Sequence, residues 1–350
     1  MKDVSRFPVP TRAGGQDGPG FYIVNFEDGG YAVVPNDKRA AGVYAYSDKG
    51  AFDADGNDGT RLFMKMAEEC LKNEIYLPDS IGKVIPPGYG YVKADDFVYA
   101  IFIYNGEDSY CTVEESNDTV LNMLDTRWGQ DEAPYNSECF KDNGEQAVVG
   151  CVALALGQIM AYHKEPQSYN GHIYYWDDMP CGKYWKGTLI GPDPDEEYSV
   201  AYLLHDIGVA LNTKYGTAAD GGSTAKASDC PNVLNKFGYT SDGVKDYHFT
   251  DVMKSLDKNR PVYVCGVDEE SGDGHAWVAS GYRCMTRKVK YYTVKDDRVV
   301  YSQTSYMPYI YVNAGYFGGS DGYYYSGIFS RGGEYYSVRV KMITNIRYNK

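Results

Sequence analysis

The stretch that most constrains the fold is "EQAVVGCVALALGQIMAYHK", residues 145–164. From Cys151 onward, apolar residues occur on nearly every side of a helix, and such a helix is usually buried at the centre of a domain. The stretch therefore predicts a central helix with neighbours all around it. Its first turn carries a thiol directly after a glycine, so Cys151 is either a small packing residue or a nucleophile.

Length and charge narrow the class of protein. A chain of 350 residues is long enough for two domains, each with its own core. A net charge of −14 and a pI near 4.8 weigh against nucleic acid or an anionic membrane surface as a partner, because both would repel the chain. No apolar run approaches the ~18 residues that suggest a membrane span. We therefore expect a globular protein without a membrane span.

The N-terminus and the cysteines bear on the compartment. No apolar h-region is visible in the first twenty residues, so either the protein is cytoplasmic or a secretory signal has been removed. The eight cysteines show no CxxC pair and no metal-ligand spacing, so we expect neither a metal nor a cofactor. A disulfide framework is not expected at this density, although one or two bridges remain open.

The first third of the chain has the pattern of a small α+β unit. Two apolar runs in "FYIVNFEDGGYAVVPND" predict a hairpin that turns at residues 28–30. The following stretch, "TRLFMKMAEECLKNEIYL", predicts an amphipathic helix. Its buried face would consist of Phe63, Met66, Ala67 and Cys70. This unit, at about residues 20–110, contains no obvious chemistry.

The polar, acidic segment Gly106–Asp125 is the best candidate for a boundary or an exposed connection. Beyond it lie the central helix and a second amphipathic helix in "EEYSVAYLLHDIGVALNTKYG". From Pro261 onward the chain changes to strand and turn signals. Because this region is helical first and β later, it predicts an α+β domain with separate helical and sheet portions.

Cys151 is well placed for chemistry. Unpaired N–H groups and the positive end of the helix dipole stabilise a thiolate in a first helical turn. Gly150 lets the backbone approach closely, and a nearby N–H can donate to an oxyanion. A cysteine in an apolar helix is nevertheless more often a packing residue, so a partner base is needed to favour catalysis.

Among five histidines, His275 is the best candidate base. His163 follows Cys151 by twelve positions (163 − 151), or about 18 Å along one helix, and is too far away to be its partner. In "SGDGHAWVASGY", Gly274 and small residues flank His275 before an apolar strand. The ring is therefore expected at the mouth of a sheet, held by the strand and open to a substrate.

Two further residues complete a possible catalytic set. A cysteine followed at long range by a histidine, and then by an Asn or Asp that orients the ring, is the order of papain-type hydrolases. Asn313 stands at a predicted strand end downstream of His275. Gln130, upstream of the nucleophile, offers a side-chain amide as a second oxyanion donor.

At these positions the sequence resembles a known family. The stretches "RWGQDEAPYN", "VGCVALALGQIMAYHK", "GHAWVASGY" and "VNAGYFGGSDGYY" are similar to landmarks of the streptopain family, secreted bacterial cysteine peptidases with a papain-like fold. The stretch "FYIVNFEDGGYAVVPNDKRAAGVYAYSDKGAFD" resembles the propeptide of that family. The resemblance spans about residues 20–330.

The resemblance implies roles for individual residues. Cys151 would be the nucleophile, His275 the general base and later acid, and Asn313 the residue that orients His275. Gln130 would be an oxyanion-hole donor. The substrate-binding positions implied at the cleft are Gly221, Gly222, Ser223 and Gly274.

The sequence departs from the family pattern in two places. The family tryptophan after the asparagine is Ala314 here, and Tyr316 or Phe317 must stand in for a second tryptophan. The gap between His275 and Asn313 is longer than usual, and its Tyr-rich sequence predicts an extended hairpin beside the cleft.

The resulting prediction is an α+β zymogen with a papain-like catalytic domain. It comprises a flexible segment at 1–16, an inhibitory propeptide domain at 17–115 and a peptidase domain at 116–350. We expect a secreted or cell-surface cysteine endopeptidase, its signal already removed, that hydrolyses peptide bonds of proteins and is inhibited by its own propeptide. The alternatives are a catalytically impaired peptidase-fold surface protein in adhesion or ligand binding, and an amidase or transpeptidase that uses the same residues.

Overall fold

A computed structural model describes residues 3–8, 19–37, 40, 42–76, 92–94, 97–99, 109–179, 194–293, 296–329 and 337–349. Its helices are α1 Asp58–Tyr76, α2 Cys151–His163, α3 Pro194–Ala210, α4 Cys230–Lys236 and α5 Phe249–Leu256. Short 3-10 turns occur at Ala218–Asp220, Ala227–Asp229 and Ser326–Phe329.

The strands of the first half are β1 Asp3–Pro8, β2 Gly20–Asn25, β3 Tyr31–Pro35, β4 Ala45–Ser47, β5 Val92–Ala94, β6 Phe97–Tyr99 and β7 Ser109–Val120. Those of the second half are β8 Ser168–Tyr169, β9 His172–Ile173, β10 Tyr239–Thr240, β11 Val244–Asp246, β12 Val262–Asp268, β13 Gly274–Thr293, β14 Val299–Asn313, β15 Gly322–Tyr325, β16 Val338–Ile343 and β17 Arg347–Tyr348.

One antiparallel sheet joins the two halves of the chain. Its strand order is β1-β2-β3-β4-β15-β14-β13-β12-β16-β11, and β7 pairs with the far part of β13. The predicted N-terminal hairpin is confirmed as β2 and β3, with positive φ angles at Gly29 and Gly30 in the turn. At β4, Tyr46 is paired with Tyr323 of β15, so the N-terminal strands extend the sheet of the C-terminal half. The α+β class predicted from the sequence is confirmed.

The two faces of β12 and β13 border two separate cores. Side chains alternate across a strand, so Val264 and Trp277 contact the first core while Cys265 and Ala276 contact the second. The first core contains α1, whose Phe63, Met66, Ala67 and Cys70 are buried as the helical periodicity predicts. The N-terminal unit therefore packs on the sheet across from α2.

The second core surrounds α2, the predicted central helix. All residues from Val152 to Met160 are buried. Leu204 and Ile207 of α3 lie against the helix at Gly157, where a Cβ would come within 2.7 Å of Leu204. This glycine lets α2 and α3 pack closely, and the packing holds Cys151 at the edge of the core.

A long ribbon extends from the sheet. The Tyr-rich insertion is the predicted hairpin, formed by β13 and β14. Residues 112–119 of the acidic segment are exposed, as expected of a connection, whereas Leu124 is buried. Residues 109–120 form β7, which pairs with β13 from Val120↔Tyr282 to Ser109↔Thr293. Opposite charges support this pairing, since Lys290 lies 2.7 Å from Glu114.

Candidate active site

Cys151 is the first residue of α2 and follows a glycine that the local geometry requires. Gly150 has a φ of 93°, a conformation that L side chains rarely adopt, and a Cβ there would lie 3.2 Å from the Cβ of Ser223. The thiol is therefore presented at a close approach between the start of α2 and the loop that contains Ser223. The predicted helix-start position of the cysteine is confirmed.

In this arrangement the Cys151 thiol is the favoured form. Burial raises the pKa of Cys151 above its ordinary value. Backbone N–H groups of Ala276, Val152 and Cys151 itself act in the opposite direction, and the carboxylate of Asp58 adds to the increase. The net direction is upward, so the thiolate that the helix start was expected to stabilise is not favoured here.

His275 is held by β13, as the sequence predicts. Its ring is not open to a substrate, contrary to the prediction. Its exposed fraction is 5%, and burial lowers its pKa. Nε2 donates to the carbonyl oxygen of Ala314 at 2.8 Å, and Nδ1 lies 3.5 Å from the hydroxyl of Tyr316. The ring of Tyr316 stacks on the imidazole with centroids 5.1 Å apart.

The start of α1 covers the imidazole. A Cβ built on Gly59 would lie 2.9 Å from Cδ2 of His275 and 3.0 Å from the ring of Tyr316. The backbone N–H of Gly59 donates to the Tyr316 hydroxyl at 3.3 Å. The N-terminal unit therefore reaches the candidate base directly, and a glycine makes this contact possible. This contact, together with the Tyr316 ring, buries His275.

Cys151 and His275 line the same cleft, but their side chains are not hydrogen-bonded to each other. Both border a cavity of about 670 Å³, together with Gln130 and Tyr316. Among the hydrogen bonds of the described residues, none joins Cys151 to His275. The structure thus brings the predicted pair to one cleft and holds the imidazole in a separate position.

Asn313 does not orient His275 in this arrangement, contrary to the expectation from the sequence. Its side-chain amide donates to the carbonyl of Thr126 at 2.7 Å, and its Oδ1 accepts the N–H of Gly315 at 3.2 Å. The carbonyl of Ala314 takes the imidazole contact instead. The asparagine is displaced from that role because α1 holds the ring beside the next residue.

Asp321, which was not predicted from the sequence, supports the residues beside His275. Its Oδ1 accepts the backbone N–H of Ala314 at 2.9 Å, and burial raises its pKa to about 7. Asp321 therefore holds the peptide unit whose carbonyl contacts His275. A carboxylate directly before a buried Gly-Tyr-Tyr strand was the available signal.

The structure also separates the two aromatic candidates of this segment. Tyr316 contacts His275, whereas the ring of Phe317 lies against Gly129, where a Cβ would be 2.1 Å from it. Phe317 also packs on Tyr135, with ring centroids 5.7 Å apart. Tyr316 is thus the aromatic that stands over the candidate base.

Gln130 lies next to the helix start. The backbone N–H of Val149 donates to the carbonyl of Gln130 at 2.9 Å, which ties this segment to the residues before Cys151. Gln130 lines the cleft with Cys151. This position is compatible with the predicted oxyanion-hole donor.

The predicted glycine-rich loop forms the opposite border of the cleft, where Gly221 and Gly222 both have positive φ angles. The Ser223 hydroxyl also lines the cleft, but it donates to the carbonyl of Val148 at 2.6 Å and so braces the loop. Gly274 is not among the lining residues. A Cβ there would lie 2.9 Å from the carbonyl of Gly266, so the ladder itself requires this glycine.

One face of α1 fills the cleft with polar side chains that the sequence analysis did not assign to the site. Asp58, Arg61 and Lys65 all line it. Lys65 extends to the end of β12, where its Nζ lies 2.5 Å from the carboxylate of Asp268. The four-residue spacing of Arg61 and Lys65 on the polar face of a predicted helix was the available signal.

The parts of the chain that the structure describes hold no metal site and no membrane-spanning helix. No group of three or more His, Cys, Asp or Glu side chains there could hold a metal ion. None of the helices in those parts has the length and apolarity needed to cross a membrane. Six cysteines there are free, at positions 70, 139, 151, 230, 265 and 284.

Fold and cleft together define a class of protein. A cysteine at the start of a buried helix faces a histidine on an antiparallel sheet, and a small α+β unit covers the cleft between them. This is the architecture of a papain-like cysteine peptidase with an inhibitor-like propeptide domain.

The chain belongs to the Peptidase C10 family. The model of that family matches residues 128–324, more than half of the chain, and a model of the Spi protease inhibitor matches residues 5–70. The chain is therefore a cysteine-type peptidase that also carries an inhibitor-like domain containing α1.

Similar proteins of known name support this family assignment. Streptopain of Streptococcus pyogenes is 25% identical over 305 residues, which cover 75% of this chain and 68% of streptopain. The thiol protease/hemagglutinin PrtT of Porphyromonas gingivalis is 27% identical over 289 residues, 75% of this chain but 31% of that protein. A solved fragment of prointerpain A from Prevotella intermedia has the same fold, with a TM-score of 0.64 and 21% identity, over 99% of this chain and 100% of the fragment.

Proposed function

We propose that this chain is the zymogen of a cysteine endopeptidase, in which the inhibitor-like domain keeps His275 apart from Cys151. The observation that carries the proposal is the position of α1: Gly59 packs on the imidazole, which is bonded to Ala314 rather than to the thiol. The pKa directions agree, because burial favours a neutral thiol at Cys151 and a neutral imidazole at His275.

Release of α1 would let the catalytic pair form. The imidazole leaves its apolar pocket and approaches Cys151, where it accepts the thiol proton. An imidazolium beside the sulfur stabilises the thiolate, which the present arrangement does not. Asn313 is one residue from Ala314, and its side chain would replace the Ala314 carbonyl as the partner of the ring.

The proposed reaction is peptide hydrolysis through an acyl-enzyme. The thiolate attacks the peptide carbonyl, and the oxyanion is held by the Cys151 backbone N–H and the Gln130 amide. Collapse of the intermediate breaks the C–N bond, and the imidazolium of His275 gives its proton to the leaving amine. His275 then takes a proton from water, whose oxygen attacks the thioester and releases the carboxylic acid and the thiol.

We assign residues 17–115 to the inhibitory domain and 116–350 to the peptidase domain. The inhibitor-family match at 5–70 and the peptidase-family match at 128–324 support this order. The inhibitor-family match begins inside the segment 1–16 that was expected to be flexible, where Asp3–Pro8 form β1 and pair with β2. Processing between the two matched regions would allow α1 and β1–β4 to leave the sheet. The resemblance to the streptopain family supports the further proposal that the enzyme acts on proteins outside the cell that makes it.

The experiment is incubation of the purified full-length chain with a reductant, followed by mass spectrometry and a protein-hydrolysis assay. We expect loss of a fragment of propeptide size, with hydrolysis appearing at the same time, and neither change in a Cys151→Ala chain. A wild-type chain that stays inactive even after an outside protease has removed its N-terminal region would contradict the proposal.

A further inference from the structure

The catalytic wall of the cleft is anionic. Among the described residues that line it, the peptidase region contributes three carboxylates, Asp131, Asp268 and Asp273, and no Lys or Arg. The cations in the cleft, Arg61 and Lys65, come from α1. The inhibitor-like domain thus places positive charge against a wall that has none of its own.

The two cations have different partners. Arg61 donates to the carbonyl of Asp55 at 2.8 Å and forms an ion pair with Asp58, so its bonds lie within the inhibitor-like domain. Lys65 instead lies 2.5 Å from Asp268 and 3.0 Å from Glu270. The ammonium of Lys65 is therefore a cation bound by the peptidase region and supplied by a segment that activation would remove.

Asp268 is prepared for such a cation. Its side chain is 8% exposed, and its carboxylate accepts the N–H of Glu270 at 3.0 Å and the hydroxyl of Ser271 at 3.1 Å. These donors fix the carboxylate before any ligand arrives. Burial raises the pKa of Asp268, but Lys65 and these two donors outweigh it, and the net pKa is lowered. Both donors belong to the peptidase region, so they continue to hold the carboxylate after α1 has left.

The ammonium position is close to the reacting groups. Asp268 ends β12, and β13 begins after the intervening loop, with Val267 opposite Gly274 and Gly266 opposite His275. Asp268 therefore lies at the same end of the sheet as His275, because it follows Gly266, the residue paired with His275, by two positions. A substrate side chain near the scissile bond can reach this place once α1 has left.

We infer that Asp268 and Glu270 form a specificity subsite for a Lys or Arg side chain of the substrate, and that Lys65 occupies it in the zymogen. The inference rests on the proposed function, since it needs an active peptidase with an open cleft. It adds the substrate class: peptides with a basic residue at one fixed position near the cleaved bond.

The test uses the full-length chain activated by processing and a set of matched peptides. Each peptide carries Lys, Arg, norleucine or Glu at one of the six positions around the cleavable bond, and kcat/KM is measured for each. At one position we expect a preference for Lys or Arg over norleucine of about tenfold or more, with Glu the poorest.

Variants assign the preference to the subsite. Asp268→Asn and the exposed Glu270→Gln are each expected to reduce the ratio of basic to norleucine peptide to about threefold or less. Glu269→Gln is the matched control, because this neighbouring carboxylate pairs with Arg339. Glu270→Gln keeps the test valid if Asp268→Asn fails to fold.

A second measurement uses the zymogen. Lys65→Gln should shorten the time to activation by about tenfold, whereas Arg61→Gln, the matched cation, should change it by less than about twofold. Equal cleavage of basic and norleucine peptides at every position would overturn the subsite while leaving the peptidase proposal intact. Failure to cleave any peptide, together with no covalent labelling of Cys151, would overturn both.

Discussion

Gly59 is the residue at which the inhibitor-like domain comes nearest to the chemistry. A side chain there would meet the imidazole of His275 at 2.9 Å and the Tyr316 ring at 3.0 Å. These rings are fixed by the sheet and by Asp321 through Ala314, so they cannot move away without cost. The latent arrangement therefore depends on a residue without a side chain, in a segment with no catalytic residue of its own.

Gly59→Ala should weaken latency. The added methyl group overpacks the contact by about 1–3 kcal/mol, so α1 is displaced more often and activation should be faster by about fivefold or more. The measurement is the time course of processing in reductant. Gly42→Ala is the control, because a Cβ at Gly42 meets nothing within 4 Å. Unchanged kinetics in the Gly59 variant would show that the contact does not hold the enzyme latent.

The lowered pKa of His275 predicts that acid weakens the latent state. The folded chain favours the neutral imidazole, so this contribution to stability is present above the ordinary histidine pKa of about 6.5 and is lost as the pH falls through the lowered value. We expect the Tm of the inert Cys151→Ala chain to decrease between about pH 7 and about pH 5.

Replacement of the imidazole isolates its contribution from those of other groups. The pKa of Asp268 is lowered in the folded chain, so its contribution to folding stability is lost in more acidic solution. The pKa of Glu69 is raised by burial, so protonation of Glu69 favours the folded chain as the pH falls. The Cys151→Ala chain that also carries His275→Phe should therefore show a smaller decrease in Tm than Cys151→Ala alone. Identical pH profiles of the two chains would contradict the assignment.

At the scale of elements, β7 shows how a connection between domains can be ordered. Its ladder to β13 satisfies its backbone groups, and two exposed ion pairs, Glu114 with Lys290 and Glu115 with Arg287, accompany it. Such exposed pairs contribute little stability, because water and salt screen them. The backbone ladder is therefore the main reason that the acidic segment is a strand.

Processing should occur outside β7. A peptide must be extended and unpaired to enter a protease cleft, and the backbone of residues 109–120 is already paired with β13. We expect N-terminal analysis of the processed enzyme to place its first residue before 110 or after 120. A first residue between these limits would show that the ladder opens before cleavage.

The contact of β4 with β15 is the second attachment of the inhibitor-like domain. Tyr46 stacks on Tyr323 with centroids 5.4 Å apart, and Arg283 lies 4.2 Å above the Tyr323 ring. Tyr46→Ala should reduce the free energy of unfolding of the Cys151→Ala chain by about 1–3 kcal/mol, measured by urea denaturation. Tyr22→Ala, at a side chain that is 44% exposed, is the control and should have a much smaller effect. Equal effects would argue against a special role for this contact.

The sequence predicted elements well where one physical signal dominated. The all-round apolar pattern from Cys151 indicated a buried helix, and the periodic face of residues 60–77 indicated the amphipathic helix found at Asp58–Tyr76. β7 was not predicted as a strand because neither of its faces is buried, so it lacks the alternating pattern. Its partner, β13, is more than 150 positions away in the chain, and local patterns carry no information about such pairing.

At the scale of the whole molecule, one sheet serves two domains with opposed roles. The order of cysteine, histidine and asparagine, with the propeptide-like start, was enough to predict the fold and the family. It could not predict that His275 contacts Ala314 and that Asn313 contacts Thr126. In the proposed zymogen, the same residues must support a latent and an active arrangement, and a motif specifies the active one. The latent one depends on where a distant helix docks.

The most direct test of the central claim is the rate at which a peptidyl epoxide labels Cys151, followed by mass spectrometry before and after processing. We predict slow or undetectable labelling of the full-length chain, rapid labelling of the processed chain at Cys151, and none in a Cys151→Ala chain. Equally rapid labelling of the full-length and processed chains would contradict the claim that α1 keeps the thiol and the imidazole apart.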